Sequence, residues 1–283
     1  IDIAVITVAP IALAIGAKAK LPVPALLLAM IGGGKAGNII SPNPNTIAAA
    51  DAFKIELTDL MTANIIPAIF AFGVTVLLSF FLASRMRKLG EVESAATLDN
   101  NDMGENVSLF RALLGPITVV VLLSLRPLLG VAIDPLIALP AGGIVLMISC
   151  GKWREMIEFS QFGLGKVSGV AILLIGTGTI AGIIKASNLN SDMIALLEVL
   201  KLPMVALAPI SGILMAGATA STTAGATIAS QTFSSALVQS GVAPVSAAAM
   251  IHAGATVVDS LPHGSFFHAT GGSVFMGVKE RLK

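Results

Sequence analysis

Hydrophobic positions fill long stretches of this chain, and polar ones arrive in blocks between them. A bilayer core of about 30 Å takes roughly 20 helical residues. Apolar runs near that length occupy residues 59–84, 110–129, 135–150 and 165–184, and a fifth covers 1–16. Each is expected to be a membrane-crossing helix. Residues 1–17 lack the basic leader and small-residue cleavage site of a signal peptide, so they are read as part of a spanning helix. A chain that starts at Ile1 is expected to be a piece of a longer protein.

Two other regions have apolar runs too short to span, each broken by polar residues. Residues 21–31 lead into GGGKAGNIISPNPN, and residues 46–53 lead out of it. Residues 203–215 lead into AGATASTTAG at 216–225, and residues 226–238 lead out. Unpaired backbone at membrane depth costs several kcal/mol per group, so irregular polar chain persists there only inside protein or beside a wet cavity. Both regions, 21–53 and 203–238, are therefore expected to be re-entrant hairpins: two half-helices meeting at a polar tip. The segments also run in parallel. Met30-Ile31-Gly32, Ser41, Thr46-Ile47-Ala48 and Phe53 match Met215-Ala216-Gly217, Ser221, Thr227-Ile228-Ala229 and Phe233 with small gaps. Paired broken segments in two halves point to an internal repeat and to a transporter's binding site.

The division expected from this pattern is a first repeat part at 1–84, a loop at 85–108 and a second repeat part at 109–283. The loop is charged and without apolar periodicity, as solvated chain is. Arg85, Arg87 and Lys88 in it, with Lys152, Arg154 and Lys166 on the same side if both intervening helices cross, put it in the cytoplasm. Inverted repeats need an odd number of crossings between the hairpins, and four are clear. The shortfall points either to a crossing hidden in 188–202 or to a different polarity; 192–200 also suits an amphipathic interfacial helix. Gly165-x-x-x-Gly169 and Gly178-x-x-x-Gly182 read as close-packing devices; Gly176-Thr177-Gly178-Thr179 could additionally unwind its helix beside the site, with close packing alone the preferred reading.

Composition sharpens the membrane reading. Of 283 residues, 55% are hydrophobic and 12% charged, and the mean hydropathy is +0.91, outside the range of soluble domains. A net charge of +1 gives no reason to expect nucleic acid as a partner. The single cysteine, Cys150, excludes an internal disulfide.

Ionisable groups inside membrane segments cost a few kcal/mol and mark function by default. All three histidines and Asp259 fall within 252–268, where Leu261-Pro262-His263-Gly264 must break a helix. Asp259 and His263 are the first candidates for carrying a coupled proton, because burial favours a protonated carboxyl and histidine titrates near neutrality. The competing reading puts them at the membrane surface, past the helix end. His252 and His268 are weaker candidates. At the tips, Lys35, Asn38, Ser41, Asn43, Asn45, Thr46, Ser221, Thr222 and Thr223 are candidate solute contacts, since half-helix N-termini and polar side chains suit an anionic or polyhydroxylated solute. Lys35 suits a carboxylate equally with snorkelling to the interface, and Asn43 and Asn45 suit plain turn chemistry.

Three enzyme-like patterns fail. Gly34-Lys35 lacks the first glycine and the Ser/Thr of a phosphate loop. Ser260 and His263 lack a GxSxG elbow. The histidine spacings do not share a helical face for zinc. No enzyme activity, cofactor or metal is called for.

SPNPNTIAAADAF at 41–53 and HAGATVVDSLPHGSFFHATGG at 252–272 resemble the gluconate permease family of proton-coupled symporters, within the wider ion-transporter superfamily. The resemblance runs over the whole chain and matches the later two-thirds of such a permease. It implies a multi-pass protein of the bacterial inner membrane that imports gluconate or a related sugar acid with protons. It also implies inverted repeats, each with a re-entrant hairpin and a broken helix, in which Ser41, Asn43, Asn45 and Thr46 contact solute. The second tip, Ser221-Thr222-Thr223, lacks the family's Asn. The reading at this stage is an all-α polytopic, repeat-built secondary transporter whose partners are a small organic anion, protons and the lipid bilayer; a homo-oligomer is compatible with it. A sodium-coupled carboxylate transporter is the alternative, and an intramembrane hydrolase using Ser260 and His263 is a distant third.

Overall fold

A computed structural model describes residues 2–89, 109–129, 131 and 133–282. Among them there is no strand, and fourteen α-helices follow one another. The first five are α1 (Asp2–Ala19), α2 (Val23–Ile40), α3 (Pro44–Phe53), α4 (Leu57–Ala63) and α5 (Ile65–Leu89). Then come α6 (Leu109–Leu129), α7 (Pro135–Ser149), α8 (Met156–Ala186) and α9 (Leu189–Val199). The last are α10 (Leu207–Thr219), α11 (Thr222–Gln239), α12 (Pro244–Ala255), α13 (Ser265–Ser273) and α14 (Val278–Arg281).

The chain forms two compact units. The first joins Ile1–Asp99 to Gly176–Lys283, and the second is Asn100–Ile175. These limits differ from the expected division at 84 and 109, and they put both broken segments, 21–53 and 203–238, in one unit. The charged loop expected at 85–108 begins inside α5, and its residues 90–108 lie outside those described.

Membrane character is written on the surface. Val23–Phe53 and Ile65–Arg87 are long and apolar enough to cross a bilayer. On α5, Ile66, Ile69, Phe70, Leu77 and Phe80 are all exposed, an arrangement that suits lipid rather than water. The 11 residues of α9 reach roughly 16 Å at 1.5 Å each, half a bilayer core. They do not supply the crossing sought in 188–202.

In the first unit, Phe53, Leu57, Leu60, Leu207, Phe233, Leu237 and Ile251 build one core with Ala208, Ala229, Ala247 and Ala248. The small residues are needed because α3, α10, α11 and α12 pass close together. A β-carbon on Gly212 of α10 would collide with the Ile251 carbonyl, and one on Gly254 of α12 would lie 2.5 Å from the Pro209 carbonyl. In the second unit, Gly115 of α6 and Gly142 of α7 face each other's backbone in the same way. Of the glycines singled out for packing, Gly165 and Gly182 instead face open space.

The breaks fall later than the glycines suggest. α2 continues through Gly32–Gly34 and Lys35 to Ile40, so GGGKAGN is helical. Gly32 is there because Thr75 of α5 occupies the space its side chain would need. The chain leaves the helix at Ser41 (φ −93°, ψ 153°) and stays extended at Asn43 (φ −113°, ψ 170°). Each of these residues precedes a proline, which excludes the helical region for it. Pro44 then suits the first turn of α3. From there α3 packs on α11 and α12. In the second segment α10 runs to Thr219 and packs along α11, the break being Ala220, in the left-handed region at φ 54°, and Ser221. The sequence at 176–179 does not unwind; α8 is unbroken there.

The close approach of α10 and α12 has a direct test. Gly254→Val should cost about 1–3 kcal/mol by overpacking, read as a lowered melting temperature in detergent. Gly73→Ala, with no atom near the new methyl, should leave the melting temperature unchanged or raise it.

Candidate functional site

The two breaks and the segment after α12 meet at Asp259. Lys35, on the turn of α2 before the break, puts its Nζ 2.6 Å from Asp259 Oδ1 and donates to the Thr256 carbonyl at 2.5 Å. Thr222, the first residue of α11, donates its hydroxyl to Asp259 Oδ2 at 2.5 Å. Ser260 donates to Oδ1 at 3.2 Å. The Asp259 side chain is 3% exposed and that of Lys35 19%, so the carboxylate is sealed and the lysine side chain partly exposed.

Helix ends reinforce both charges. Thr256 closes the C-terminus of α12, where carbonyls leave partial negative charge that favours a cation. Thr222 opens α11, whose N-terminus favours the anion it holds. Asp259 itself stands in the non-helical stretch between Ala255 and Ser265. The helix break expected around Pro262 is thus present, and Asp259 lies past the end of α12 with its side chain buried in the protein.

One turn further along the same face of α2 lies a second polar group. Asn38 Nδ2 approaches Nε2 of the fully buried His252 at 3.4 Å, and Asn45 Nδ2 approaches Asn38 Oδ1 at 3.4 Å. His252 Nδ1 has no protein partner. Asn64, at the start of α5, is also buried and donates to the Ile39 carbonyl at 2.9 Å. Its own Oδ1 has no partner. Sequence reasoning passed over Asn64, although a lone asparagine in a long apolar run is a signal, and it ranked His252 low.

The remaining tip residues hold the breaks together. Asn43 Oδ1 accepts the backbone N–H groups of Asn45 (2.9 Å) and Thr46 (3.3 Å), capping α3. Its amide donates to the carbonyls of Asn38 (2.5 Å) and Ser41 (3.2 Å) and to Ser41 Oγ (2.9 Å). Thr46 donates to the Ser41 carbonyl at 2.8 Å. Ser221 caps α11 by accepting the Ala224 N–H at 3.3 Å, and Thr223 is half-buried with its carbonyl accepting from Thr227. Several of the N–H groups that the half-helices offered to an anion are therefore taken up by the protein, and the partly exposed Lys35 side chain is the cation beside them.

His263 is not part of the cluster. It is exposed, and its Nε2 lies 2.9 Å from the Gly217 carbonyl; His268 Nε2 lies 2.8 Å from that of Pro262. With Ser260 turned to Asp259, the arrangement gives no hydrogen bond between Ser260 and His263.

Over all 283 residues the chain is 53% identical to a protein of Haemophilus influenzae described as an uncharacterized transporter, and it spans 67% of that protein's length. The chain belongs to that transporter family. No protein-family model matches it, and no solved structure matches it significantly. Its buried ion pair lies at the join of the interrupted α2–α3 segment and the N-terminus of α11.

The cap at the first break is testable apart from transport. Asn43→Ala removes two accepted and three donated hydrogen bonds and should cost at least the roughly 0.5–2 kcal/mol of a lost N-cap. Melting in detergent measures it; an unchanged melting temperature would mean that Asn43 does not hold the break.

Proposed function

We propose that the protein is a secondary active transporter that carries gluconate or a related sugar acid across the bacterial inner membrane by proton symport. The observation that carries the reading is the Lys35–Asp259 ion pair, buried in an apolar helical unit and joined to the second break through Thr222. Lys35 takes the solute's carboxylate, and Asn38, Asn45 and Thr222 on neighbouring turns suit its hydroxyls. Asp259 carries the proton. His263, engaged with Gly217 and exposed, is a weaker carrier. The resemblance of 41–53 and 252–272 to the gluconate permeases supports the choice of solute.

Residues 21–53 and 203–238 act in this reading as the two re-entrant elements of an inverted repeat, and access alternates as this region moves as a body. The geometry of the first supports an interrupted crossing more than a hairpin, because α3 turns to α11 and α12. The sodium-coupled alternative draws less support. Carbonyls at a helix break are natural sodium ligands, yet those of Asn38, Ile39 and Ser41 already accept from Asn43, Asn64 and Thr46.

Uptake of labelled gluconate into proteoliposomes holding the full-length protein should follow an inward proton gradient and ignore sodium. Accumulation that requires sodium and is indifferent to pH would establish the alternative instead.

A further inference from the structure

The Lys35–Asp259 pair has no further ion-pair partner among the described residues. Lys35 is the only charged residue of α2, and α10 and α11 have none. Of the other elements packed on α2, α1 carries Asp2 and Lys18 and α5 carries Arg85, Arg87 and Lys88, all near the helix ends, and α4 carries Asp59. Around Asp259 the titratable groups are His252 on α12, His263 in the following turn and His268 on α13, engaged with Asn38, Gly217 and Pro262. Asp259 is held by Lys35, Thr222 and Ser260.

We infer that solute and proton are coupled by exchange of partners on Lys35, giving an electroneutral symport of one monoanion with one proton. The inference rests on the proton-coupled sugar-acid reading above. The solute approaches along the partly exposed Lys35 side chain, and its carboxylate replaces that of Asp259. The displaced Asp259 remains buried, and an uncompensated buried charge is strongly unfavourable, so the exchange completes only when Asp259 takes a proton from the water on the open side. Thr222 accommodates both forms: its hydroxyl donates to the carboxylate and, rotated, accepts from the acid.

Charge balance fixes the stoichiometry. The empty site holds Lys35 positive and Asp259 negative, a sum of zero. The loaded site holds Lys35 positive, the solute carboxylate negative and Asp259 neutral, again zero. Both forms cross the membrane field without moving net charge. A site with the anion on Lys35 and Asp259 still ionised carries one uncompensated negative charge, and that penalty prevents solute from crossing without its proton.

Proteoliposomes with the full-length protein and labelled gluconate test this. At a fixed pH difference, uptake should be unchanged when a potassium–valinomycin potential is imposed. Apparent affinity for gluconate should weaken by up to tenfold per pH unit on the alkaline side, where binding must bring its own proton. Asp259→Asn should lose accumulation driven by the pH gradient and lose the pH dependence of gluconate affinity; Lys35→Gln should lose counterflow. The two wild-type measurements decide the matter even where a variant fails to fold. Uptake that follows the imposed potential, or an Asp259→Asn protein whose gluconate affinity still falls with pH, would overturn the exchange while leaving proton-driven gluconate uptake standing. A wild-type protein that takes up no gluconate would overturn the transport reading and the exchange with it.

Discussion

A charge inside an apolar helical bundle must be compensated where it lies, and the fold around Asp259 is arranged by that requirement. Removing either partner from a buried ion pair costs about 3–5 kcal/mol, because the one left behind is uncompensated. Three stretches distant in sequence are drawn together to avoid it: α2 supplies Lys35, α11 supplies Thr222, and the break after α12 supplies Asp259 with Ser260. Breaking α12 at Ala255 serves the same need, since Asp259 leaves the helix and its carboxylate meets the N-terminal end of α11.

The rest of the first unit makes this meeting sterically feasible. Glycine and alanine at the crossing of α10 and α12 bring those two backbones close together. The two prolines at 42 and 44 place the interruption of α2 and α3 after Lys35 and Asn38, so both project from regular helix, and side-chain caps at Asn43 and Ser221 absorb backbone groups that each interruption exposes. Polar residues here divide into those that stabilise the breaks and those turned on one another across helices. That division separates Asn43, Thr46 and Ser221 from Lys35, Asn38 and Asp259.

Much of this was legible in the chain. Apolar run lengths gave α6 and α7 nearly to the residue, and Ser-Pro-Asn-Pro and Leu-Pro-His-Gly marked two real breaks, because proline acts locally. Glycine misled: GGGK signalled an irregular tip, yet the run stays helical because the neighbouring α5 fills the space at Gly32. That cause lies in another helix and leaves no local trace. For the same reason Lys35, Thr222 and Asp259 were each nameable while their convergence was not, and His252 and Asn64, whose roles come from burial, were ranked low or passed over. The division of the chain into 1–99 with 176–283, and 100–175, also depends on contacts between distant segments that periodicity does not encode.

The central claim is that Lys35 and Asp259 compensate one another in the buried state, and a double-mutant cycle on stability tests it most directly. Melting of Lys35→Met, Asp259→Asn and the double variant in detergent should show each single change strongly destabilising and the double much less so than their sum, since it removes both charges together. Additive losses would contradict the account, because two groups that do not compensate each other have no coupling to lose.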